Sequence, residues 1–103
     1  MSEFKNVGVV KKANVYHGGK CVSHTVLLAD GSKKSVGVIL PSKLIFNTAA
    51  PEVMELIEGR CRVTQKGATT AIEYRGGQSF SVPANSAFDI ETLETLHYVC
   101  HFG

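Results

Sequence analysis

The sequence contains no run of about 18 consecutive apolar residues, the length that a membrane-spanning helix needs. Its first twelve residues also lack the long apolar core of a secretory signal. We therefore expect a protein that stays in the cytoplasm and has no membrane partner.

An excess of charge of one sign is also missing. The 11 Lys and Arg residues are nearly balanced by 9 Asp and Glu residues, which gives a formal net charge of +2 at pH 7. So small an excess does not build the broad cationic face that duplex DNA requires. Nucleic acid is therefore not an expected partner.

Cysteine is scarce and widely spaced, at Cys21, Cys61 and Cys100. An odd number of cysteines at such distances fits neither a disulfide framework nor a CxxC metal clamp. We expect reduced thiols that pack as small apolar groups.

Glycine and proline, with 10 and 3 residues, are too few for a collagen-like or disordered chain. The hydrophobic share of 44% is enough for an ordinary core. A chain of 103 residues is about the size of one domain, so we expect a single domain over residues 1–103.

Short runs with period-two alternation or β-branched residues dominate the sequence, and a helical period is nearly absent. Turn-forming pairs such as Gly18-Gly19, Asp30-Gly31 and Lys66-Gly67 separate these runs. The pattern predicts about nine strands, at residues 7–11, 22–28, 34–40, 43–48, 53–65, 70–74, 78–82, 87–91 and 96–101. A sandwich or a closed barrel buries the inner faces of so many strands, which makes the predicted fold class all-β.

The longest predicted strand, residues 53–65, contains Gly59 at its middle. A missing side chain at that point permits a bend or a close approach of another backbone. A bent strand shared by two sheets is typical of a jelly roll.

Two spacings resemble the two motifs of the cupin superfamily: six residues separate Glu52 from Gly59, and five separate Gly77 from Pro83. More specific are FNTAAPEVMELIEG (residues 46–59), FSVPANSAF (80–88) and YVC (98–100), together with SVGV (35–38). These segments are similar to the small single-domain cupins known as pyrimidine/purine nucleoside phosphorylases, and the similarity extends from about Phe4 to the end of the chain.

The resemblance implies a single-domain cupin jelly-roll β-barrel. It also implies a pentosyltransferase, within the glycosyltransferases, that phosphorolyses purine and pyrimidine nucleosides to free base and ribose 1-phosphate. Inorganic phosphate is then a co-substrate, and no further cofactor is expected. A homodimer is expected as well, because small cupins commonly pair their sheets and thereby cover exposed edges.

The sequence departs from the metal-binding cupins at the positions where they carry histidine ligands. These positions hold Phe46, Thr48 and Phe88. Glu52 alone does not make a tight transition-metal site, because such ions take three or four ligands. We expect no bound metal, and in its place room for an organic ligand and an oxyanion.

Phosphorolysis needs an acceptor for ribose hydroxyls, donors for phosphate and a group that hydrogen-bonds the departing base. The candidate catalytic residues are Glu52, Thr48 and His101. Glu52 would accept from ribose hydroxyls or hold a charged donor in place, unless it lies in a surface ion pair. The Thr48 hydroxyl would serve phosphate or sugar, unless it only packs in a strand. His101 would donate to the base or to phosphate near neutral pH.

The candidate substrate-binding residues are mostly aromatic. Phe46 and Phe88 would stack on base or sugar if they face inward, and would otherwise be core residues. We expect Phe80 to face inward because the following Val82 shares its strand face. Tyr98 belongs to the closing motif of the family. Lys33, with Lys34, is a candidate for phosphate, although lysines at a strand start also protect sheet edges.

Three alternative functions remain open at this point. A non-catalytic cupin would bind a sugar or nucleotide without turnover. A metal-dependent dioxygenase or isomerase is disfavoured by the missing histidines. A purely structural oligomerisation module would bind no ligand in the barrel mouth.

Overall fold

The computed structural model describes residues 2–103 and is almost entirely β-structure. The all-β prediction is confirmed. Over this range the only helical segment is the three-residue 3-10 helix His17–Gly19, which is far too short to cross a membrane. The strands are β1 (Gly8–Val9), β2 (Asn14–Tyr16), β3 (Cys21–Leu27), β4 (Lys33–Ile39), β5 (Ser42–Asn47), β6 (Glu52–Gln65), β7 (Ile72–Arg75), β8 (Ser79–Val82) and β9 (Ala87–Phe102).

The two longest strands, β6 and β9, form the spine of the sheet. They pair antiparallel from Glu52 opposite Phe102 to Gln65 opposite Phe88. The other edge of β9 pairs with β4 and β5, and the other edge of β6 pairs with β7 and β8. The main strand order is β1-β3-β4-β9-β6-β7, with β2 also paired to β3. Closure of these strands into a barrel stays a prediction.

Of the bend or close backbone approach expected at Gly59, the close approach is confirmed, and the strand pairing is irregular there. The register of β6 against β9 shifts three times between Leu56 and Cys61. Gly59 has φ of 102° there, and a Cβ placed on it would lie 2.3 Å from the carbonyl oxygen of Thr95. The strand can therefore bend only because the residue at this point has no side chain.

The structure differs from the predicted strands at two places. Strand β9 continues through residues 92–95, where the prediction had a break. That stretch, Thr-Leu-Glu-Thr, contains no turn residue, so nothing in it stops a strand. Strand β2 was not predicted, because three residues are too few for a period-two pattern to stand out.

Alternate residues of β4, β6, β8 and β9 point inward and build the core. Ile39, Leu56, Ile90 and Leu96 are among its fully buried members. All three cysteines are unpaired and buried, as expected from their spacing. The inward faces of β4, β6 and β9 therefore supply the buried wall on which the candidate site is built.

Candidate functional site

A cavity of about 180 Å³ lies against the inward faces of β4, β6 and β9. Residues that are paired across adjacent strands line the cavity side by side: Ser35 of β4 is paired with Cys100 of β9, and Cys100 with Met54 of β6. The residues lining the cavity are the aromatic Tyr16, Phe46, Phe88, Tyr98 and Phe102, the polar Ser23, Ser35, Asn47 and Glu52, and Ile39, Met54 and Cys100. An apolar hollow with a few polar groups directed into it is the usual form of a small-molecule site.

Phe46 and Phe88 face inward and line this cavity together. They are paired across β5 and β9, and their rings stack with centroids 5.6 Å apart. Phe80 also faces inward, as predicted, while Ser81 is exposed. Its ring packs edge-on against Phe88 at 5.6 Å and stacks on Tyr74, but it does not line the cavity. Phe80 thus supports the aromatic wall from behind.

Tyr98 lines the cavity, with its hydroxyl 3.4 Å from the thiol sulfur of Cys21. Burial raises the pKa of the Tyr98 hydroxyl, which keeps it protonated at any physiological pH. The residue offers the cavity an aromatic surface and no charge.

Glu52, the first residue of β6, carries the only carboxyl group among the residues that line the cavity. The Cys100 thiol donates a hydrogen bond to its Oε1 at 3.5 Å. Burial raises the pKa of the Glu52 carboxyl, and within residues 2–103 no cationic side chain forms an ion pair with it. Burial, together with the nearby carboxylate, raises the pKa of Cys100 to about 12, so the sulfur remains a thiol donor. The protonated form of Glu52 is therefore favoured more than in water.

Thr48 is buried but is not brought to the cavity. Its hydroxyl donates to the carbonyl oxygen of Pro83 at 2.7 Å and accepts from the Ser86 N–H at 3.0 Å. Both bonds hold the loop that precedes β9. With its proton already donated, the hydroxyl of Thr48 has a structural task.

His101 lies on the opposite face of β9 from Tyr98, Cys100 and the cavity. Its Nδ1 accepts from the Lys34 ammonium at 2.8 Å, which leaves the proton on Nε2 to be donated to Glu55 Oε1 at 2.8 Å. The structure therefore separates His101 from the other candidate residues and places it in a polar chain on the outer surface of the sheet.

Lys33 lies outside the cavity but on the same strand face as Ser35, because the two are two residues apart in β4. It lines a wider groove that adjoins the cavity. Lys34 points to the other face, toward His101. The alternation of the strand thus separates the two lysines that the sequence offered as a pair.

Eight of the twelve residues that line the cavity were not candidates in the sequence, and Tyr16 and Ser35 are two of these. Tyr16 lies at the end of β2, the strand that the periodicity did not reveal. Ser35 could have been found, because it alternates with Gly37 and Ile39 on the inward face of a predicted strand.

Within residues 2–103 no three His, Cys, Asp or Glu side chains are grouped so that they could hold a metal ion. The positions at which metal-binding cupins carry histidines hold Phe46 and Phe88 in the cavity wall and Thr48 in the loop contact.

A sequence model of the family described as "Pyrimidine/purine nucleoside phosphorylase" matches residues 11–102. A protein of that name from Nocardia farcinica is 64% identical over 103 residues, covering 100% of both chains. One from Dechloromonas aromatica is 65% identical over 103 residues, again over 100% of both.

Solved structures agree with this similarity. A protein of unknown function from Acinetobacter sp. ADP1 superposes with a TM-score of 0.96 at 54% identity, covering 98% of each chain. Fe(II) HppE superposes with a TM-score of 0.71 over 89% of this chain and 55% of that one, at 11% identity. That second likeness concerns the fold alone.

Proposed function

Because this chain belongs to the pyrimidine/purine nucleoside phosphorylase family, we propose that it transfers the pentosyl group of a nucleoside to inorganic phosphate. The products are a free base and ribose 1-phosphate, which makes the reaction a pentosyltransferase, and hence a glycosyltransferase, reaction. The observation that carries the proposal is a carboxyl group, Glu52, in a cavity walled by Phe46, Phe88 and Tyr98.

The base binds in the cavity against the aromatic wall. A volume of about 180 Å³ is below the roughly 300–1,000 Å³ of pockets that enclose a whole drug-sized ligand. One planar ring system fits this hollow, and the sugar remains outside it. Stacking depends on a flat π-surface and little on the pattern of ring substituents, so this contact supports activity on both purine and pyrimidine nucleosides.

The chemical step forms a bond from a phosphate oxygen to C1 of the ribose and breaks the bond from C1 to the base nitrogen. The electron pair of the broken bond goes to the base, which takes up one proton. Protonated Glu52 donates that proton and recovers it from the hydrogen phosphate ion, directly or through water. The sugar passes through a state with oxocarbenium character, as in glycoside cleavage, and needs no covalent intermediate with the protein.

Thr48, Phe80 and His101 take no direct part in this scheme. Thr48 holds the loop before β9 and Phe80 supports the ring of Phe88. His101 is held on the outer face by Lys34 and Glu55.

The test is an assay of the purified chain with uridine or inosine. We expect base release only when phosphate is present, with ribose 1-phosphate formed in equal amount. Release that proceeds equally well without phosphate would indicate a hydrolase and contradict the proposal. Binding of nucleosides with no release at all would favour the alternative, a non-catalytic cupin that binds a sugar or nucleotide.

We also propose that the chain works as a homodimer joined through the outer face of β4, β6 and β9. Val36, Val53 and Ile57 are 38%, 39% and 45% exposed on that face, a patch that a second copy would cover.

Light scattering after size exclusion should give twice the monomer mass for the wild type. Val36→Glu should lower the measured mass to that of the monomer. Ile72→Glu, which changes an exposed apolar residue of β7, is the control. A monomeric wild type would refute the dimer.

The cytoplasm remains the proposed location of the reaction. Cys21, Cys61 and Cys100 are all unpaired, as thiols are in a reducing compartment.

A further inference from the structure

A groove of about 510 Å³ adjoins the cavity and shares three residues with it, Tyr16, Ser35 and Phe102. The cavity and the groove therefore adjoin across these shared residues, which gives a substituent of a ring held in the cavity a path into the groove. Its other lining side chains include Asn14, Thr25 and Lys33, so the groove is polar where the cavity is aromatic.

Lys33 provides the positive charge of this groove. Its side chain lies on the same face of β4 as Ser35, and within residues 2–103 its ammonium forms no ion pair with a carboxylate. The neighbouring Lys34 instead donates to His101 on the outer face. An ammonium group without a carboxylate partner is available to an anionic ligand.

Thr25 is oriented as a hydrogen-bond donor by Asn14. The Asn14 Nδ2 group donates to Thr25 Oγ1 at 3.2 Å and also to Ser23 Oγ at 3.3 Å. Since the threonine oxygen already accepts, its own hydroxyl proton is free to point into the groove. The same arrangement leaves the carbonyl oxygen of the Asn14 amide as an acceptor.

Two further hydroxyl groups stand at the boundary between groove and cavity. Ser35 and Tyr16, which each carry a hydroxyl group, line both the cavity and the groove. Ser32 also lines the groove, but its hydroxyl already donates to Asp30 at 2.6 Å. Among its side chains the groove thus combines one ammonium group and three hydroxyl donors with one amide acceptor, and Gly103 lines it as well.

We propose that this groove is the binding subsite for orthophosphate and for the pentose 1-phosphate formed from it. Lys33, Thr25, Ser35 and Tyr16 are the donors to phosphate oxygens, and the Asn14 amide oxygen accepts from a sugar hydroxyl. This inference rests on the proposed function, since it assigns the base to the cavity and the sugar with phosphate to the groove. The bond that breaks then lies beside Ser35 and Tyr16.

The test compares Lys33→Ala and Lys34→Ala, neighbouring lysines on opposite faces of one strand. We expect Lys33→Ala to raise the KM for phosphate by at least about tenfold, the loss of one hydrogen bond to a charged group. The KM for uridine should change much less. Lys33→Arg should recover part of the loss, and Lys34→Ala should leave the phosphate KM within about twofold of the wild type.

A second measurement does not depend on turnover. Inorganic phosphate titrated into the wild-type protein should shift the backbone amide resonances of residues 14–16 and 33–35, and Lys33→Ala should weaken that binding. Thr25→Val, which keeps the shape and removes the donor, should weaken it to a smaller degree. An unchanged phosphate KM in Lys33→Ala would overturn the subsite while leaving phosphorolysis established. Phosphate binding that depends on Lys33 in a protein without phosphorolysis would support the subsite and refute the proposed function.

Discussion

Replacement of Glu52 by Gln should lower kcat for phosphorolysis by at least about 100-fold, the lower end of what a positioned general acid contributes. Glutamine has nearly the same shape and still donates a hydrogen bond, but it has no acidic proton to give to the departing base. The KM for the nucleoside should stay close to that of the wild type, because the contacts with Phe46 and Phe88 are unchanged. Initial rates over a range of uridine concentrations measure both constants.

A matched control for this variant is Glu58→Gln. Glu58 lies on the same strand, but its carboxyl is exposed and faces His97 at 3.8 Å. Its replacement should leave kcat within about twofold, as expected for an exposed ion pair. Equal losses in the two variants, or full activity in Glu52→Gln, would remove Glu52 from the proposed chemistry.

Glu52→Gln should also change how the stability of the protein depends on pH. Burial raises the pKa of the Glu52 carboxyl above its value in the unfolded chain. The contribution of this carboxyl to the free energy of unfolding is therefore fully present below its pKa in the unfolded chain, about 4.3. It is lost as pH rises through the pKa in the folded protein. Glutamine does not ionise, so the Tm of Glu52→Gln relative to the wild type should rise between pH 4 and pH 7. An acid kept in a cavity at a cost in stability is a common feature of active sites.

The cavity wall could be predicted largely from the sequence. The two cupin motifs already indicated that three of their positions face inward. The structure brings the residues at these positions, Phe46, Glu52 and Phe88, to one cavity. Tyr98 and His101 are three residues apart on a single strand, so their side chains must point to opposite faces. Strand alternation therefore already contradicted a site containing both, and the structure places His101 on the outer face.

Other features depend on contacts that no local pattern carries. The two hydrogen bonds of Thr48 reach Pro83 and Ser86, 35 and 38 residues further along the chain. The groove likewise depends on Asn14 of β2, which meets Thr25 only after β2 has paired with β3. Pairings of this kind are set by the whole sheet, so the sequence showed the hydroxyl groups without their partners.

Replacement of Gly59 by Ala should destabilise the fold by about 3 kcal/mol or more, since both backbone conformation and space oppose a side chain. The residue has φ of 102°, and its new Cβ would lie 2.3 Å from the backbone oxygen of Thr95, which cannot rotate away. Gly67→Ala isolates the first effect, because Gly67 has φ of 83° but a Cβ there meets nothing within 4 Å. Urea unfolding should show a loss of about 1 kcal/mol for Gly67→Ala.

The difference in unfolding free energy between Gly59→Ala and Gly67→Ala measures the cost of placing a side chain where β6 and β9 approach closely. These two strands carry Glu52 and Phe88 at opposite ends of their pairing, so the bend between them sets where the carboxyl lies relative to the aromatic wall. Gly59→Ala that still folds should therefore lose kcat as well as stability, whereas Gly67→Ala should lose stability alone. Equal unfolding free energies for the two variants would mean that β6 can bend without its glycine, and the site would then owe its geometry to other contacts.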